Sequence, residues 1–222
     1  MLSRTDWNFI KIYLVILLSE LIFTNINHLS AIHYITKPAL LISLILFFYK
    51  TNSSASTYVK KFTLLALVFS LIGDILLMFQ DKNALFFPLG LASFLIAHIM
   101  YILVFLKDRR TNKKSLLFLT VVSLYGLILL HFLSPNLGEL FTPVIIYIIA
   151  ILAMVTTAYL RNKTDSKMSY YLILIGAFLF IISDSILAID KFLVPLNYSH
   201  ILIMLTYGLA QLTLVLGIKN SL

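Results

Sequence analysis

The chain contains no cysteine. That excludes disulfides, a thiolate nucleophile and any cysteine-held zinc. Charge is scarce as well: only 12% of the 222 residues are Asp, Glu, Lys or Arg, and only nine are acidic. No Gly-rich phosphate loop, no Gly-x-Ser-x-Gly elbow and no His-Glu-x-x-His helix occurs. The repeated acidic–basic helices of an ion carrier are missing too. What remains is apolar, at 61% hydrophobic, more than a soluble domain of this length could hide from water. The solvent is therefore lipid.

Hydrophobic runs close to the roughly 20-residue spanning length predict eight membrane helices over 9–27, 32–49, 62–79, 86–106, 115–133, 142–160, 170–189 and 199–218. Turn chemistry separates several of them: Asn52-Ser53-Ser54, Asp81-Lys82-Asn83, Ser134-Pro135-Asn136 and Pro195-Leu196-Asn197. The connections leave no room for a soluble domain, so residues 1–222 read as one multi-pass domain. The first run reads as a membrane helix, not a cleavable signal. Asp6 and Trp7 precede it, Lys11 and Glu20 interrupt it, and no small-residue cleavage site follows.

The basic residues predict orientation. Arg4, Lys50, Lys60, Lys61, Lys107, Arg109, Arg110, Lys113, Lys114, Arg161, Lys163, Lys167 and Lys219 fall on one side, and only Lys82 and Lys191 on the other. By the positive-inside rule both termini are cytoplasmic. The net charge of +8 is thus topological and suits an anionic leaflet; it is no sign of nucleic-acid binding. Usage rich in Ile, Lys and Asn points to a bacterium, hence its cytoplasmic membrane.

Two aspartates sit inside the apolar runs, in related phrases: Ser70-Leu71-Ile72-Gly73-Asp74-Ile75-Leu76-Leu77 and Ile181-Ile182-Ser183-Asp184-Ser185-Ile186-Leu187. A carboxylate at mid-bilayer costs roughly 2.5–3.5 kcal/mol on insertion scales, so each needs a partner, a polar cavity or a reaction. They fall in the third and seventh helices. Thr36-Lys37-Pro38 and Phe141-Thr142-Pro143 open the second and sixth. The pattern suggests two parallel four-helix halves about an axis along the membrane normal, with the aspartates at equal depth and facing each other across a shared cavity.

Other polar groups share compatible depths. Ser70 lies one turn from Asp74 on the same face. His98 with Tyr101, and Tyr207 with Gln211, form further one-face pairs, and Glu20 and Lys37 lie nearer the outer side. Packing roles are open to each. Lys37 could snorkel outward, Glu20 could neutralise Lys37, His98 could be a satisfied core residue, and Tyr207 and Gln211 could be interhelical glue. His28, His33, His131 and His200 lie towards the outer face in no recognisable metal spacing, and no metal or cofactor is expected.

At these residues the chain resembles the YhhN family of membrane proteins, the lysoplasmalogenases. The matching phrases are Lys37-Pro38-Ala39-Leu40-Leu41, the Ser70–Leu77 stretch, Gly90-Leu91-Ala92-Ser93-Phe94 through His98 and Tyr101, Ser183-Asp184-Ser185 followed by Phe192, and Thr206-Tyr207 followed by Ala210-Gln211. The resemblance implies an eight-helix enzyme that hydrolyses the vinyl ether bond of lysoplasmalogens to a fatty aldehyde and a glycerophospho-ethanolamine or -choline. Asp74 and Asp184 are then the catalytic carboxyls, one in its acid form and one ionised. Lys37, Ser70, His98, Tyr101, Ser183, Tyr207 and Gln211 line the substrate site, with Lys37 placed for the lipid phosphate. The expected partners are the lysophospholipid substrate and membrane lipid. An intramembrane aspartyl protease is the nearest alternative enzyme, and a small-molecule or lipid transporter the alternative from another class.

Overall fold

The computed structural model describes residues 2–24, 30–51, 56–107, 109, 115–161 and 166–221. His28, the end of the first expected span (25–27), the Asn52-Ser53-Ser54 turn, and Arg110, Lys113, Lys114 and Lys163 lie outside the described residues. Among the described residues the architecture is α-helical: α1 Arg4–Phe23, α2 Ser30–Thr51, α3 Thr57–Met78, α4 Phe86–Leu106, α5 Ser115–Leu133, α6 Phe141–Tyr159, α7 Lys167–Phe192 and α8 Ser199–Lys219. Two short 3-10 turns, Ser134–Asn136 and Gly138–Leu140, join α5 to α6.

Seven helices, α2 to α8, are long and apolar enough to cross a membrane. The expectation of eight such helices is met in seven. The eighth, α1, carries Arg4, Asp6, Lys11 and Glu20 along its 20 residues, and this charge load keeps it out of the set.

Capping sets several boundaries that periodicity missed. α1 begins at Arg4, five residues before its expected start. The Ser3 side chain accepts from the Asp6 backbone N–H, and the Asp6 carboxylate accepts from the Ser3 backbone N–H, a reciprocal capping box. α7 begins at Lys167 because the Ser166 hydroxyl accepts from the Ser169 N–H. It therefore exceeds its expected span by three residues at each end.

The most extensive helix pairings are α3 with α4 and α7 with α8. In lipid, helices gain little from apolar contact alone, so close backbone approach through small residues carries the packing. A Cβ on Gly73 would sit 2.7 Å from the Phe94 ring, and one on Gly90 2.9 Å from Leu77. Across α7 and α8, a Cβ on Gly217 would meet the Ile173 backbone nitrogen at 2.9 Å. Gly73 thus presses Phe94 of α4 against the turn of α3 that carries Asp74.

The first and last helices meet at one end of the bundle, where Lys219 of α8 donates to the buried Asp6 carboxylate of α1. Burial pushes the Asp6 carboxyl up, but the hydrogen bonds from Lys219 and Ser3 outweigh it and hold it below the usual carboxylate range. A carboxyl lowered on folding stabilises the fold above its unfolded value of about 3.9 and loses that contribution as pH falls through the lowered folded value. Asp6→Asn is expected to lower stability at neutral pH by about 1–3 kcal/mol, the cost of stranding a charged partner. The gap between variant and parent should close as pH drops below about 4. Thermal denaturation of the detergent-solubilised protein at the two pH values reads both effects.

Candidate active site

Two buried carboxyl centres form in the half of the bundle away from the Asp6–Lys219 pair. The first is built on α3. Asp74 is 2% exposed. Its Oδ2 accepts from the Tyr207 hydroxyl of α8 at 2.8 Å, and its Oδ1 lies 3.9 Å from the Lys37 Nζ of α2. The network continues through Gln211, one turn along α8 from Tyr207. The Gln211 amide donates to the Ser70 hydroxyl at 3.0 Å and accepts from the Tyr101 hydroxyl of α4 at 2.6 Å. Six of the residues singled out in the sequence therefore join: Lys37, Ser70, Asp74, Tyr101, Tyr207 and Gln211.

The second centre is built on α7. Asp184 Oδ2 accepts from the Tyr147 hydroxyl of α6 at 2.5 Å, and the Nε2 of His98 on α4 lies 3.9 Å from the same oxygen. His98 is fully buried, and neither ring nitrogen has a hydrogen-bond partner among the described residues. Its imidazole lies edge-on to Tyr147 and Phe180, with centroids at 5.2 and 4.7 Å. The Asp184 side chain keeps 15% of its surface accessible, against 3% for Asp74. That surface faces a partly open cavity bounded mainly by α4, α5, α6 and α7. Asp184, Tyr147, Tyr125 and Ser185 are its polar lining; the rest is largely apolar, including Leu91, Phe94, Leu129 and Ile148. Of the two aspartates, Asp184 lines this cavity and Asp74 does not.

The centres adjoin through aromatic rings. Phe94 and Phe180 each pack edge-on against Tyr207, at 5.7 and 5.5 Å, and against each other at 6.3 Å. Phe180 also touches His98, and Phe94 lines the cavity.

Two of the polar residues lie elsewhere. Ser183 turns away from the cavity and donates to the Ile203 carbonyl of α8 at 3.2 Å. Glu20, for which neutralising Lys37 is one role the sequence leaves open, is fully buried and takes other hydrogen-bond partners. Its carboxylate meets the His33 Nδ1 at 2.6 Å and accepts from the Thr24 and Thr36 hydroxyls. Sequence reading missed Tyr147, because a lone tyrosine in an apolar helix looks like an interfacial ring. The available signal was spacing: Tyr147 follows Lys37 by the same interval that separates Asp184 from Asp74.

Magnitudes separate scaffold from function. Interhelical hydrogen bonds in membranes average about 0.6 kcal/mol, whereas a carboxylate costs roughly 2.5–3.5 kcal/mol to insert. A single tyrosine bond does not offset that cost for Asp184, whereas Asp74 has Lys37 beside it as well.

Fold and site together define a multi-pass helical membrane protein with two buried carboxyl centres, one fronting an apolar cavity. The chain belongs to the YhhN family, whose model matches residues 32–218. It is 35% identical over 166 residues to the Bos taurus protein named lysoplasmalogenase TMEM86A, covering 70% of this chain and 64% of that one. It is 32% identical over 156 residues to the Homo sapiens lysoplasmalogenase TMEM86B, covering 70% and 62%. The matched region thus spans less than two thirds of the length of these relatives. No solved structure matches the chain.

Proposed function

We propose that this protein hydrolyses the vinyl ether bond of lysoplasmalogens, releasing a fatty aldehyde and a glycerophospho-ethanolamine or -choline. The observation that carries the reading is the asymmetry of the two carboxyls. Asp74 has a lysine at 3.9 Å. Asp184 has a phenol and an imidazole instead, and it is the one that borders an apolar cavity. The family membership and the names of the relatives support the substrate class.

The chemistry follows from the bond. An enol ether hydrolyses by protonation at the vinyl carbon remote from oxygen. In this reading Asp184, in its acid form, gives that proton, and the π pair becomes the new C–H bond. The resulting carboxylate lies beside the oxocarbenium ion and stabilises it, as in glycoside hydrolysis. Water adds to the cationic carbon and returns a proton to Asp184, with His98 positioning it. The hemiacetal then collapses: Asp184 gives a proton to the glycerol oxygen as its bond to carbon breaks, and takes back the hemiacetal hydroxyl proton as the C=O forms. Every proton is accounted for, and no step calls on a metal or cofactor. Tyr147 is a positioning residue that holds one carboxylate oxygen. Asp74, held by Tyr207, orients Lys37, whose remaining donors take the lipid phosphate. Ser70, Tyr101 and Gln211 brace that half of the site. Release of free aldehyde by the purified protein tests the assignment; movement of solute across liposomes without product would favour a transporter.

The proposal includes one domain of eight spans, both termini in the cytoplasm of a bacterium. The Asp6–Lys219 pair supports an even number of crossings, because it joins the start of α1 to the end of α8. Two parallel halves are supported by the pairing of α2 with α8 and of α4 with α6, which exchange when each helix is replaced by its equivalent four places on. The Tyr101–Gln211 bond joins positions 110 apart, the interval that also separates Asp74 from Asp184 and Lys37 from Tyr147. Reporter fusions are expected to read cytoplasmic after Lys167 and external after Asn136; the reverse pattern would sink the orientation.

A further inference from the structure

We infer that the cavity among α4, α5, α6 and α7 is a slot for one unbranched hydrocarbon chain of a single-chain lipid, and that Gly126 sets its clearance. The inference rests on the hydrolase reading for which end of the lipid meets Asp184; the slot itself is read from its walls.

The polar groups of those walls are already engaged. The Tyr125 and Ser185 hydroxyls share a hydrogen bond of 2.5 Å, and Ser185 also donates to the Ile181 carbonyl at 2.6 Å. The Tyr147 hydroxyl donates to Asp184. Among the described residues, Asp184 is the one side chain of the lining with an oxygen outside these bonds. A ligand that fits must be apolar along nearly all its length and present one reactive group at one point. A hydrocarbon chain with a single labile bond near one end meets that description; a peptide, with a polar group at every residue, does not.

Shape agrees. Lining positions run from Val144 to Leu152 on α6 and from Ile181 to Phe192 on α7. At 1.5 Å rise per residue these stretches are roughly 12–16 Å long, which suits an extended chain. Asp184 stands about one turn from the inner limit, so the longer arm runs towards Phe192.

Gly126 controls the width. A Cβ there would lie 2.4 Å from Leu152 Cδ1 and 3.3 Å from Ile148 Cγ2. Leu152 and Ile148 themselves line the slot. A side chain at 126 must displace the end of Leu152, and a large one such as leucine competes with Leu152 and Ile148 for the space beside the slot. Glycine inside a helix costs about 0.5–1 kcal/mol relative to alanine, and the clearance it provides here is its compensation.

The test uses a saturated 1-O-alkyl lysophospholipid carrying a photoreactive diazirine on its chain, added to the full-length protein in nanodiscs. It has no vinyl ether, so labelling is independent of hydrolysis. Adducts are expected on slot residues such as Leu129, Leu133 and Ile148. Gly126→Leu should reduce them roughly tenfold, the scale of an overpacking penalty. Leu152→Ala added to Gly126→Leu restores room and should restore labelling, which separates a blocked slot from a misfolded chain. Adducts confined to lipid-facing side chains such as Leu117 and Ile149, both more than 60% exposed, would overturn the slot, as would unchanged labelling of Gly126→Leu. Labelling without aldehyde release in the separate activity assay would instead fault the hydrolase reading and leave the slot standing.

Discussion

Asp184→Asn is expected to reduce aldehyde release by about 10²–10⁴-fold, the usual contribution of a positioned acid–base group, while binding of the saturated ether lysolipid stays near normal. The amide keeps the carboxyl's size and can still accept from Tyr147. It has no acidic proton to give to carbon, and it leaves no anion beside the oxocarbenium ion. The loss should therefore fall on kcat, not on KM. Tyr147→Phe is expected to do less, because it frees one oxygen of Asp184 without removing the acid. His98→Gln should sit between the two and keep the fold, since glutamine retains a hydrogen-bonding group at the end of its side chain. An Asp184→Asn protein with near-normal kcat would remove Asp184 from the chemistry.

The Asp74 centre should respond differently. Lys37→Ala is expected to raise KM roughly tenfold to a hundredfold, the equivalent of losing a charge-assisted hydrogen bond of about 1.5–3 kcal/mol, with a smaller change in kcat. Asp74→Asn leaves Lys37 without its carboxylate and turns the charge-assisted bond from Tyr207 into a weaker neutral one, so it should damage both KM and kcat. Because the two side chains act as a pair at 3.9 Å, the double variant should be little worse than Asp74→Asn alone. Full additivity of the two losses, measured as kcat/KM, would show that Lys37 and Asp74 act independently and would dissolve the division of labour drawn from their contact.

Much of this site was legible in the sequence, and for a physical reason. In lipid an ionisable side chain is expensive, so Asp74 and Asp184 stood out against their surroundings without any structure. Helical periodicity then tied Ser70 to Asp74, Tyr101 to His98 and Gln211 to Tyr207. Periodicity does not say which helices are neighbours. The structure divides these groups between two centres, with His98 beside Asp184 and Tyr101 beside Gln211, although the two share a helix face one turn apart. Ser183 adjoins Asp184 in sequence but points to α8, since successive helical residues face different directions. Tyr147 and Gly126 carried no cost signal: a tyrosine is tolerated in a membrane helix, and a glycine gains meaning only when Leu152 is found against it. Phe94 and Phe180 pack at the junction of the two centres. The boundaries of α1 and α7 moved because serine caps extend helices beyond the point where hydrophobicity fades.

Proton transfer to carbon is the central claim, and hydrolysis in D2O tests it most directly. Purified protein is incubated with a lysoplasmalogen in D2O, the aldehyde is trapped at once, and its mass and labelling position are read. A no-protein control of preformed aldehyde corrects for exchange. The account predicts one deuterium on the carbon next to the carbonyl, delivered through Asp184, and no label in the product of the Asp184→Asn variant beyond its residual turnover. Aldehyde formed at normal rate with no deuterium at that carbon would contradict it, because the bond would then have broken without protonation of the double bond.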